Sequence, residues 1–244
     1  MLKSFRGDLH VHTCLSPCAS NKMLPTVIVK EAIKKNLDLI SICDHNSVEN
    51  VEAVRKAGEK QGLAVIGGVE MTSREEVHIL GLFGDEKALW DIQNIIYLNL
   101  PGKNDRNAFG EQLIVDEKDN IININERLLI GATGYSVEEI VAAIHDRGGL
   151  AIASHIDRES FGILGQLGII PPALALDALE LSAMATGNQE KFRQEYDFPF
   201  VTSSDAHYVS DIGKSCTSFF MEKVSIEEIR KALQGKNRRR AIIE

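Results

Sequence analysis

Residues 5–12 read Phe-Arg-Gly-Asp-Leu-His-Val-His, a run of strand length that ends in two alternate histidines. Apolar runs of similar length recur along the chain and alternate with helix-patterned segments, whose starts are marked by Pro25 and by capping boxes at Ser136 and Ser225. This alternation predicts a parallel sheet covered by helices and closed, or nearly closed, into a barrel. A chain of 244 residues is long enough for one such barrel, which needs roughly 250.

Residues 98–135 interrupt the alternation, because they are polar and carry little helix pattern. Two short apolar runs, Gln112–Val115 and Ile121–Ile124, flank a polar turn and predict a hairpin. Segments inserted into a regular scaffold tend to form caps or binding loops. We therefore expect a single domain over residues 1–244, with residues 98–135 as an insertion or cap. The basic run Lys236–Arg240 is expected to be a solvated end of the chain.

Composition limits the partners and the compartment. The formal net charge of −8 argues against duplex nucleic acid as a partner, because phosphate backbones favour a basic face, but it does not exclude a nucleotide. No run approaches the roughly 20 apolar residues of a membrane span, so no membrane partner is expected. The cysteines lack the spacing of a secreted disulfide framework, which favours a cytoplasmic protein with reduced thiols. They are Cys14, Cys18, Cys43 and Cys216.

Polar clusters rich in imidazole and carboxylate lie at one edge of the apolar runs. Burying such groups without partners costs several kcal/mol each, whereas a shared metal centre satisfies them together and supplies chemistry. Taken singly they are ambiguous, because a lone His-x-His pair is more often structural and Asp-His-Asn is good turn chemistry. Their joint occurrence at successive strand ends favours a metal site. The clusters are Asp8-Leu9-His10-Val11-His12, Asp44-His45-Asn46, Glu70 with His78, His155, and Asp205-Ala206-His207.

The spacing within the clusters predicts how they meet. Side chains at alternate positions of a strand share a face, so Asp8, His10 and His12 point together into the barrel mouth. Asp205 and His207 repeat the same spacing on a late strand. The other clusters mostly follow the carboxyl ends of strands, where barrel enzymes assemble their sites. So many ligands exceed the four of one tetrahedral ion, which implies two or three metals.

Glu70 is the natural bridge between two of these ions. His78 begins its strand instead of ending it, so we expect that strand to run antiparallel and bring its start to the mouth; otherwise His78 lies elsewhere. Asp8 and Asp44 are expected to orient the histidines from outside the ligand set. His145 lies in a helix-patterned segment, where a partly buried histidine at the helix end is the favoured interpretation.

Together these motifs resemble the PHP family (polymerase and histidinol phosphatase), especially its small stand-alone members. The resemblance spans residues 8–207 in the family's order and rests on Asp-Leu-His-Val-His-Thr, Cys-Asp-His-Asn, Gly-Val-Glu-Met-Thr, Val-His-Ile-Leu-Gly, Ala-Ser-His and Ser-Ser-Asp-Ala-His. It implies an α/β fold, a distorted seven-stranded (β/α) barrel, whose metal site hydrolyses phosphoesters. It also implies a division of ligands: His10, His12, Glu70 and Asp205 for one metal, Glu70, His78 and His155 for a second, and His45 with His207 for a third.

The third metal position departs from the family pattern. The stand-alone members commonly follow the first motif with Ser-Asp-Gly, whose Asp serves that metal, whereas this chain has Cys14-Leu-Ser-Pro-Cys18-Ala-Ser-Asn21. Cys18 is either a thiolate ligand or a small residue in the turn after Pro17. A thiolate would favour zinc or iron over magnesium or manganese, since thiolates are soft ligands. Two or three divalent ions, of zinc, manganese or iron, are expected in all.

The expected activity is metal-dependent phosphoester hydrolysis. Two ions about 3.5–4 Å apart would clamp the phosphoryl oxygens and lower the pKa of a bridging water to about 7, giving the hydroxide that attacks phosphorus. Asp205 and His207 lie beside it in this interpretation, and Arg158 either binds a phosphate oxygen or forms a surface salt bridge. The expected substrate is a small phosphorylated metabolite or a nucleotide. A nuclease acting on short oligonucleotides and a metal-stabilised binding module without activity are the alternatives.

Overall fold

A curved sheet of nine strands forms the centre of the part of the chain described by the computed structural model, residues 1–185 and 189–244. The strands along the chain are β1 (Lys3–Val11), β2 (Leu39–Ile42), β3 (Ala64–Thr72), β4 (His78–Phe83), β5 (Leu113–Val115), β6 (Ile121–Ile124), β7 (Leu150–Ala153), β8 (Ala178–Leu181), β9 (Phe200–Thr202), β10 (Thr217–Met221) and β11 (Arg240–Ile243). The helices are α1 (Pro25–Lys34), α2 (Val51–Glu59), α3 (Glu86–Leu98), α4 (Arg106–Phe109), α5 (Val137–His145), α6 (Ile163–Leu167), α7 (Gln189–Glu195) and α8 (Ile226–Leu233). Short 3₁₀ helices cover Val209–Asp211 and Lys236–Arg238.

The predicted helix starts coincide with their capping residues. Pro25 is the first residue of α1, where its missing N–H leaves no helical bond unmade. Ser136 accepts a hydrogen bond from the N–H of Glu139 at the start of α5, and the Glu139 side chain reciprocates. Ser225 caps α8 by accepting from the N–H of Glu228. These caps fix where the chain leaves the sheet and begins to cover it.

The sheet is mixed, which corrects the prediction of a parallel sheet but agrees with the antiparallel direction expected for the strand of His78. β1, β2 and β3 run parallel, as do β7, β8 and β9, but β4 is antiparallel to both of its neighbours, β3 and β7. Residues 73–77 alone connect β3 to β4, which is too short for the helical crossover of a parallel pair. β10 and β11 add antiparallel strands beside β1, so the main sheet of the described residues has nine strands where a seven-stranded barrel was expected.

The first strand meets the segment that follows β9, and this contact nearly closes the barrel. The N–H of His12 donates to the carbonyl of Ala206 at 3.0 Å, and the N–H of Ala206 donates to the carbonyl of His10 at 3.2 Å. The predicted class of fold, an α/β barrel, is therefore confirmed. The contact also makes neighbours of the polar clusters at residues 8–12 and 205–207.

The face of the sheet that carries the polar clusters is apolar over its other half. On β3, Ile66 belongs to an apolar cluster, whereas Glu70 on the same face is polar. On β4, Leu80 and Leu82 are apolar and His78 is polar. The helix α8 packs on the apolar half, and α1, α2, α3 and α5 cover the opposite face of the sheet.

The predicted hairpin in residues 98–135 is confirmed, because β5 and β6 form an antiparallel pair apart from the main sheet. Asn50, next to the start of α2, holds this pair in place. Its side-chain amide donates to the carbonyl of Leu113 at 3.0 Å and accepts from the N–H of Val115 at 3.0 Å. That residues 98–135 form a cap within a single domain stays a prediction.

The basic run Lys236–Arg240 is exposed as expected, with the exception of Arg239. The side chain of Arg239 is largely buried, its Nε donates to Glu228 Oε2 at 2.7 Å, and the last residue of the run begins β11. His145 does lie at the end of a helix as predicted, with its Nε2 2.9 Å from Asp177 Oδ2. Within the described residues, no helix has both the length and the apolar character needed to cross a membrane.

Candidate metal centre

The residues predicted to bind metal converge at one mouth of the barrel. Glu70 lies on β3, and His78 is the first residue of β4, whose antiparallel direction is as predicted. The others lie near the ends of parallel strands: His10 and His12 at the end of β1, His45 after β2, His155 after β7, and Asp205 and His207 after β9. All except His207 are buried.

The carboxylate of Glu70 lies among the histidines and is 1% exposed. Its Oε1 is 3.0 Å from His78 Nδ1 and 3.3 Å from His155 Nε2. Its Oε2 is 3.1 Å from His45 Nδ1. Glu70 Oε1, His45 Nδ1 and His78 Nδ1 nevertheless make no hydrogen bond of acceptable geometry. Buried donor atoms that converge without bonding one another are the arrangement that a divalent metal ion completes.

A second set of donor atoms faces Glu70 from β1 and from the segment after β9. Asp205 Oδ1 is 3.0 Å from His12 Nε2 and 3.3 Å from His10 Nε2. His10 Nε2 is also 3.4 Å from Glu70 Oε1. One ligand atom from each of these four side chains lies within 4.8 Å of the others. This is the set that the family resemblance implies for one metal.

Two further groups of donor atoms meet the same 4.8 Å limit. The first differs from the implied second set, because His45 stands in it where His155 was expected, although His155 also lies close to Glu70. The structure thus brings every predicted histidine and carboxylate ligand to one centre, with His45 shared between two groups. The groups are His45, Glu70 and His78, and His12, His45 and His207.

Two carboxylates and two imidazoles of the centre have the ionisation that a bound cation needs. In contrast, burial lowers the pKa of His10, His45 and His207, but nearby acidic groups outweigh it and raise all three values, so a cation would displace the protons of these imidazoles. Burial raises the pKa of Glu70 and of Asp205, but the facing histidines outweigh it and hold both values well below their usual range. Burial lowers the pKa of His12 well below its usual value and that of His78 to about 4. At neutral pH the two carboxylates are therefore anionic and these two imidazoles neutral, which are the forms that coordinate a metal.

Two residues of the centre hold a backbone conformation that is rare outside glycine. His155 has a φ of 29° and Asp205 a φ of 48°. Such conformations cost of order 1–3 kcal/mol and concentrate at functional sites. The strain indicates that placing these two side chains takes precedence over local stability.

Cys18 lies at the position where the sequence departs from the family pattern. The residue is exposed, yet its thiol contacts the imidazoles of His45 and His207. Burial of the thiol group raises its pKa, but hydrogen bonds with His207 and His45 outweigh that effect and bring the pKa to about 6. A thiolate beside two imidazoles is a soft donor set. Burial raises the pKa of the other thiols, those of Cys14, Cys43 and Cys216, to about 12.

Arg158 lies at the rim of the centre. Its Nη1 is 2.6 Å from Asp205 Oδ2, and its side chain is 38% exposed. The partner is thus a carboxylate of the centre and not a surface residue. Gly162 lets the loop fold back at this point, because a Cβ there would lie 2.4 Å from the carbonyl oxygen of Arg158. Phe161 in the same loop stacks its ring on His78, with 4.5 Å between centroids.

Two residues that the sequence analysis missed hold the His10–His12 pair from outside. Ser16 Oγ donates to Asp44 Oδ1 at 2.7 Å, so it accepts from Nδ1–H of His12 at 2.9 Å. Glu180 Oε1 accepts from Nδ1–H of His10 at 3.0 Å. Both contacts leave the Nε2 lone pair facing the centre. The sequence signal from which Glu180 could have been found is a single acidic residue in the apolar strand Ala-Leu-Glu-Leu.

Asp8 and Asp44 do not orient the imidazoles directly, as the sequence had led us to expect. Asp8 accepts from the N–H of Ser204 at 3.0 Å and from the N–H of Gly213 at 2.9 Å. Asp44 accepts from the N–H and from the hydroxyl of Thr13, both at 2.7 Å. Through these bonds to main-chain N–H groups, the two carboxylates fix the backbone segments that carry the ligands.

A barrel with a candidate metal centre at its mouth defines the class of this protein, and comparison with protein families gives that class a name. The PHP-domain family model matches residues 8–171, well over half of the chain, and a model described as PHP-associated matches residues 187–237. The chain belongs to the PHP family. The resemblance to the PHP family is thereby confirmed, and the phosphoesterase activity that it implies stays a prediction.

Individual proteins that match nearly the whole of this chain have low sequence identity to it. YqxK of Bacillus subtilis, an uncharacterised protein, is 24% identical over 99% of this chain and 65% of its own length. Endonuclease Q from Pyrococcus furiosus shares the fold, with a TM-score of 0.75 and 19% identity over 98% of this chain and 58% of its own. A structure of endonuclease Q with a 27-mer duplex that carries an abasic lesion gives a TM-score of 0.73, with the same identity and coverage. The chain thus spans less than two thirds of these proteins.

Proposed function

We propose that the protein hydrolyses phosphoesters at a centre of two or three divalent ions in the barrel mouth. The observation that carries this proposal is the buried carboxylate of Glu70, which has histidine nitrogens on all sides and an oxygen without a hydrogen bond. A buried polar atom left unsatisfied costs about 1–3 kcal/mol, so the cluster is unfavourable without a cation. A divalent ion satisfies these atoms together.

The ligand sets proposed for the ions differ from the three groups of donor atoms at two places, because His155 replaces His45 beside Glu70 and His78, and Cys18 replaces His12 beside His45 and His207. Cys18 is proposed for the third set because its thiol hydrogen-bonds with both of these imidazoles. This thiolate favours zinc or ferrous iron over manganese at the third position. The proposed sets are His10, His12, Glu70 and Asp205; Glu70, His78 and His155; and Cys18, His45 and His207.

The chain's own residues bind and orient the phosphoester. Bound divalent ions would supply Lewis acidity and lower the pKa of a coordinated water. Arg158 has donors left beyond its bond to Asp205, and these are free to bind a non-bridging phosphate oxygen. Asp205 is the carboxylate placed to accept the proton released on attack. His207, with its Nδ1 3.5 Å from Asp205 Oδ1, completes the rim of the site.

The surroundings of Arg158 favour a small substrate. A cavity of about 510 Å³ lies beside this residue, and Met184 and Phe192 supply apolar surface to it. This volume is in the range of pockets that hold small molecules. Asp157 and Glu159 also line the cavity, and their charge disfavours a long polyanion. These features support a small phosphorylated metabolite or a nucleotide as the first candidate substrate.

A nucleic acid is the second candidate substrate, and the comparisons favour it. Endonuclease Q, which has this fold over 98% of the chain, has been solved with duplex DNA. A 5′-3′ exoribonuclease of Haemophilus influenzae is 29% identical over 32% of this chain and 29% of its own length. The argument from net charge against a duplex is weak beside these likenesses, because a local patch can bind phosphate in an acidic protein.

The test is product release from a panel of phosphoesters by protein loaded with zinc, manganese or iron. The panel holds metabolite monoesters, nucleotides, a cyclic phosphodiester, 5′-phosphorylated oligonucleotides and a duplex with an abasic site. Asp205→Asn is the inactive variant. His145→Gln is the matched control, because His145 lies at a helix end away from the centre.

We expect kcat/KM on the best substrate to fall at least about 100-fold in Asp205→Asn, since loss of even an outer partner of a metal ligand costs 10–100-fold. His145→Gln should keep full activity. The best substrate then separates the two candidates. Full metal content with no hydrolysis of any panel member would refute the proposal and favour a metal-stabilised binding module.

A further inference from the structure

Glu180 is a buried carboxylate whose placement serves the histidine pair on β1. It lies on β8, which reads Ala-Leu-Glu-Leu, and its residue exposure is 0%. Among the described residues, no lysine or arginine pairs with it, and its ion-pair partner is His10. A carboxylate buried without a cation is strongly unfavourable, so a purely structural position here would favour an apolar side chain.

The contacts of Glu180 connect two ligand-bearing segments. Its Oε1 accepts from Nδ1–H of His10 on β1 at 3.0 Å and from the backbone N–H of His155, after β7, at 3.2 Å. Its Oε2 is buried and makes no hydrogen bond. One carboxylate oxygen thus accepts hydrogen bonds from His10, a proposed ligand of the first ion, and from the backbone of His155, a proposed ligand of the second.

We propose that Glu180 is a positioning residue that fixes the tautomer of His10 and strengthens the bond from its Nε2 to the first metal ion. This inference rests on the proposed function. With Nδ1 protonated and bonded to Glu180, the Nε2 lone pair faces Asp205 Oδ1 at 3.3 Å and Glu70 Oε1 at 3.4 Å. A carboxylate on the far nitrogen of a ligating imidazole makes that imidazole a stronger ligand.

The neighbouring ligand shows the contrast. His12 donates its Nδ1–H to the neutral hydroxyl of Ser16 at 2.9 Å, whereas His10 donates to an anion. The two histidines therefore differ in the charge of the group that accepts from Nδ1–H. A substitution at Glu180 can remove this charge and keep the hydrogen bond. Glu180→Gln keeps an oxygen that can accept from both N–H groups and removes only the charge.

The experiment measures metal affinity directly. Wild type, Glu180→Gln and Glu228→Gln are stripped of metal and titrated with zinc against a chromophoric chelator, and the melting temperature of each metal-free protein is recorded. Glu228 is the matched control, because it is also a buried glutamate in an ion pair. Its partner is Arg239, and the pair lies away from the centre.

We expect Glu180→Gln to bind zinc about 10- to 100-fold more weakly than wild type, the usual effect of losing an outer partner. The melting temperature of the metal-free variant should not fall. Glu228→Gln should bind zinc like wild type. If Glu180→Gln binds zinc within about twofold of wild type while wild type binds tightly, Glu180 is structural and the inference fails, although the metal centre stands. Absence of zinc binding by wild type would overturn both.

A second measurement does not depend on how the variant folds. Long-range ¹H–¹⁵N spectra of zinc-loaded wild type report the state of each imidazole nitrogen. We expect His10 to show a protonated Nδ1 and a metal-bound Nε2. A metal-bound Nδ1, or an Nδ1 without its proton, would refute the role of Glu180.

Discussion

Iodoacetamide should distinguish Cys18 from the other cysteines of the metal-free protein. Its thiol has a pKa of about 6, whereas Cys14, Cys43 and Cys216 have pKa values of about 12. At pH 7 the thiolate fraction is about 0.9 for Cys18 and about 10⁻⁵ for the others. A thiolate of low pKa is the weaker nucleophile, and a Brønsted slope of about 0.4–0.5 over six pKa units removes roughly 10²- to 10³-fold of this advantage.

The net expectation is that Cys18 reacts about 100-fold faster than any other thiol of the chain, before the burial of the others is counted. The sign of the pH dependence follows from the depressed pKa. The alkylation rate of Cys18 should reach its plateau above about pH 7 and should decrease as the pH falls through about 6. An ordinary thiol, in contrast, titrates near 8.5. Peptide mapping by mass spectrometry across this range gives the rate at each cysteine, with Cys18→Ser as the control.

Two results would count against this reasoning. A midpoint for Cys18 alkylation near 8.5 would mean that His45 and His207 do not stabilise the thiolate. The second result concerns zinc, which should protect Cys18 if the thiolate is a ligand of the third ion. If Cys18 is alkylated at equal rates with and without bound zinc, it is a residue of the turn after Pro17 and not a metal ligand. The third ion would then be bound by the imidazoles alone.

Three other predictions follow from single contacts. Gly162→Ala brings a Cβ to 2.4 Å from the Arg158 carbonyl oxygen. This variant should be destabilised by about 1–3 kcal/mol, and its kcat/KM should fall about 100-fold. The control is Gly84→Ala, whose Cβ would have its nearest atom at 3.5 Å and which should change neither quantity. Glu228 has its pKa lowered from 4.5 to about 2 by Arg239, so Glu228→Gln should lose stability above about pH 4.5 and match wild type near pH 2; an equal loss at both pH values would contradict this. Chelation of the metal should lower the melting temperature, since an ion at 100 times its Kd adds about 2.7 kcal/mol; an unchanged melting curve would exclude a stabilising ion.

Strand alternation made most of the ligands predictable. His10 and His12 are two apart, which predicts one shared face in a strand, and both reach the centre. His78 was informative because it conflicted with a parallel sheet, and the antiparallel direction of β4 resolves that conflict. These inferences need only the local geometry of a strand and the rule that barrel sites lie at strand ends.

The supporting residues were not predictable in the same way. Ser16 is one of several hydroxyl residues near the first motif, and its role depends on Asp44 and His12 being brought to it from separate segments. Glu180 carries no local pattern beyond one charge in an apolar strand, because its partner is 170 residues away in sequence. Strand β11 was missed because its basic neighbours look solvated until Glu228 is placed beside Arg239.

The register of β3 and β4 explains why polar residues end one strand and begin the other. Glu70 pairs with Leu80, and His78 pairs with Thr72 two positions further toward the mouth. Because the strands are antiparallel, the mouth is the carboxyl end of β3 and the amino end of β4, and the apolar residues of each lie on the far side. A slip of one residue would turn His78 to the opposite face and place it among the helices. The metal centre and the apolar half of the barrel are therefore specified by the same pairing, and a change that shifts the register would remove both together.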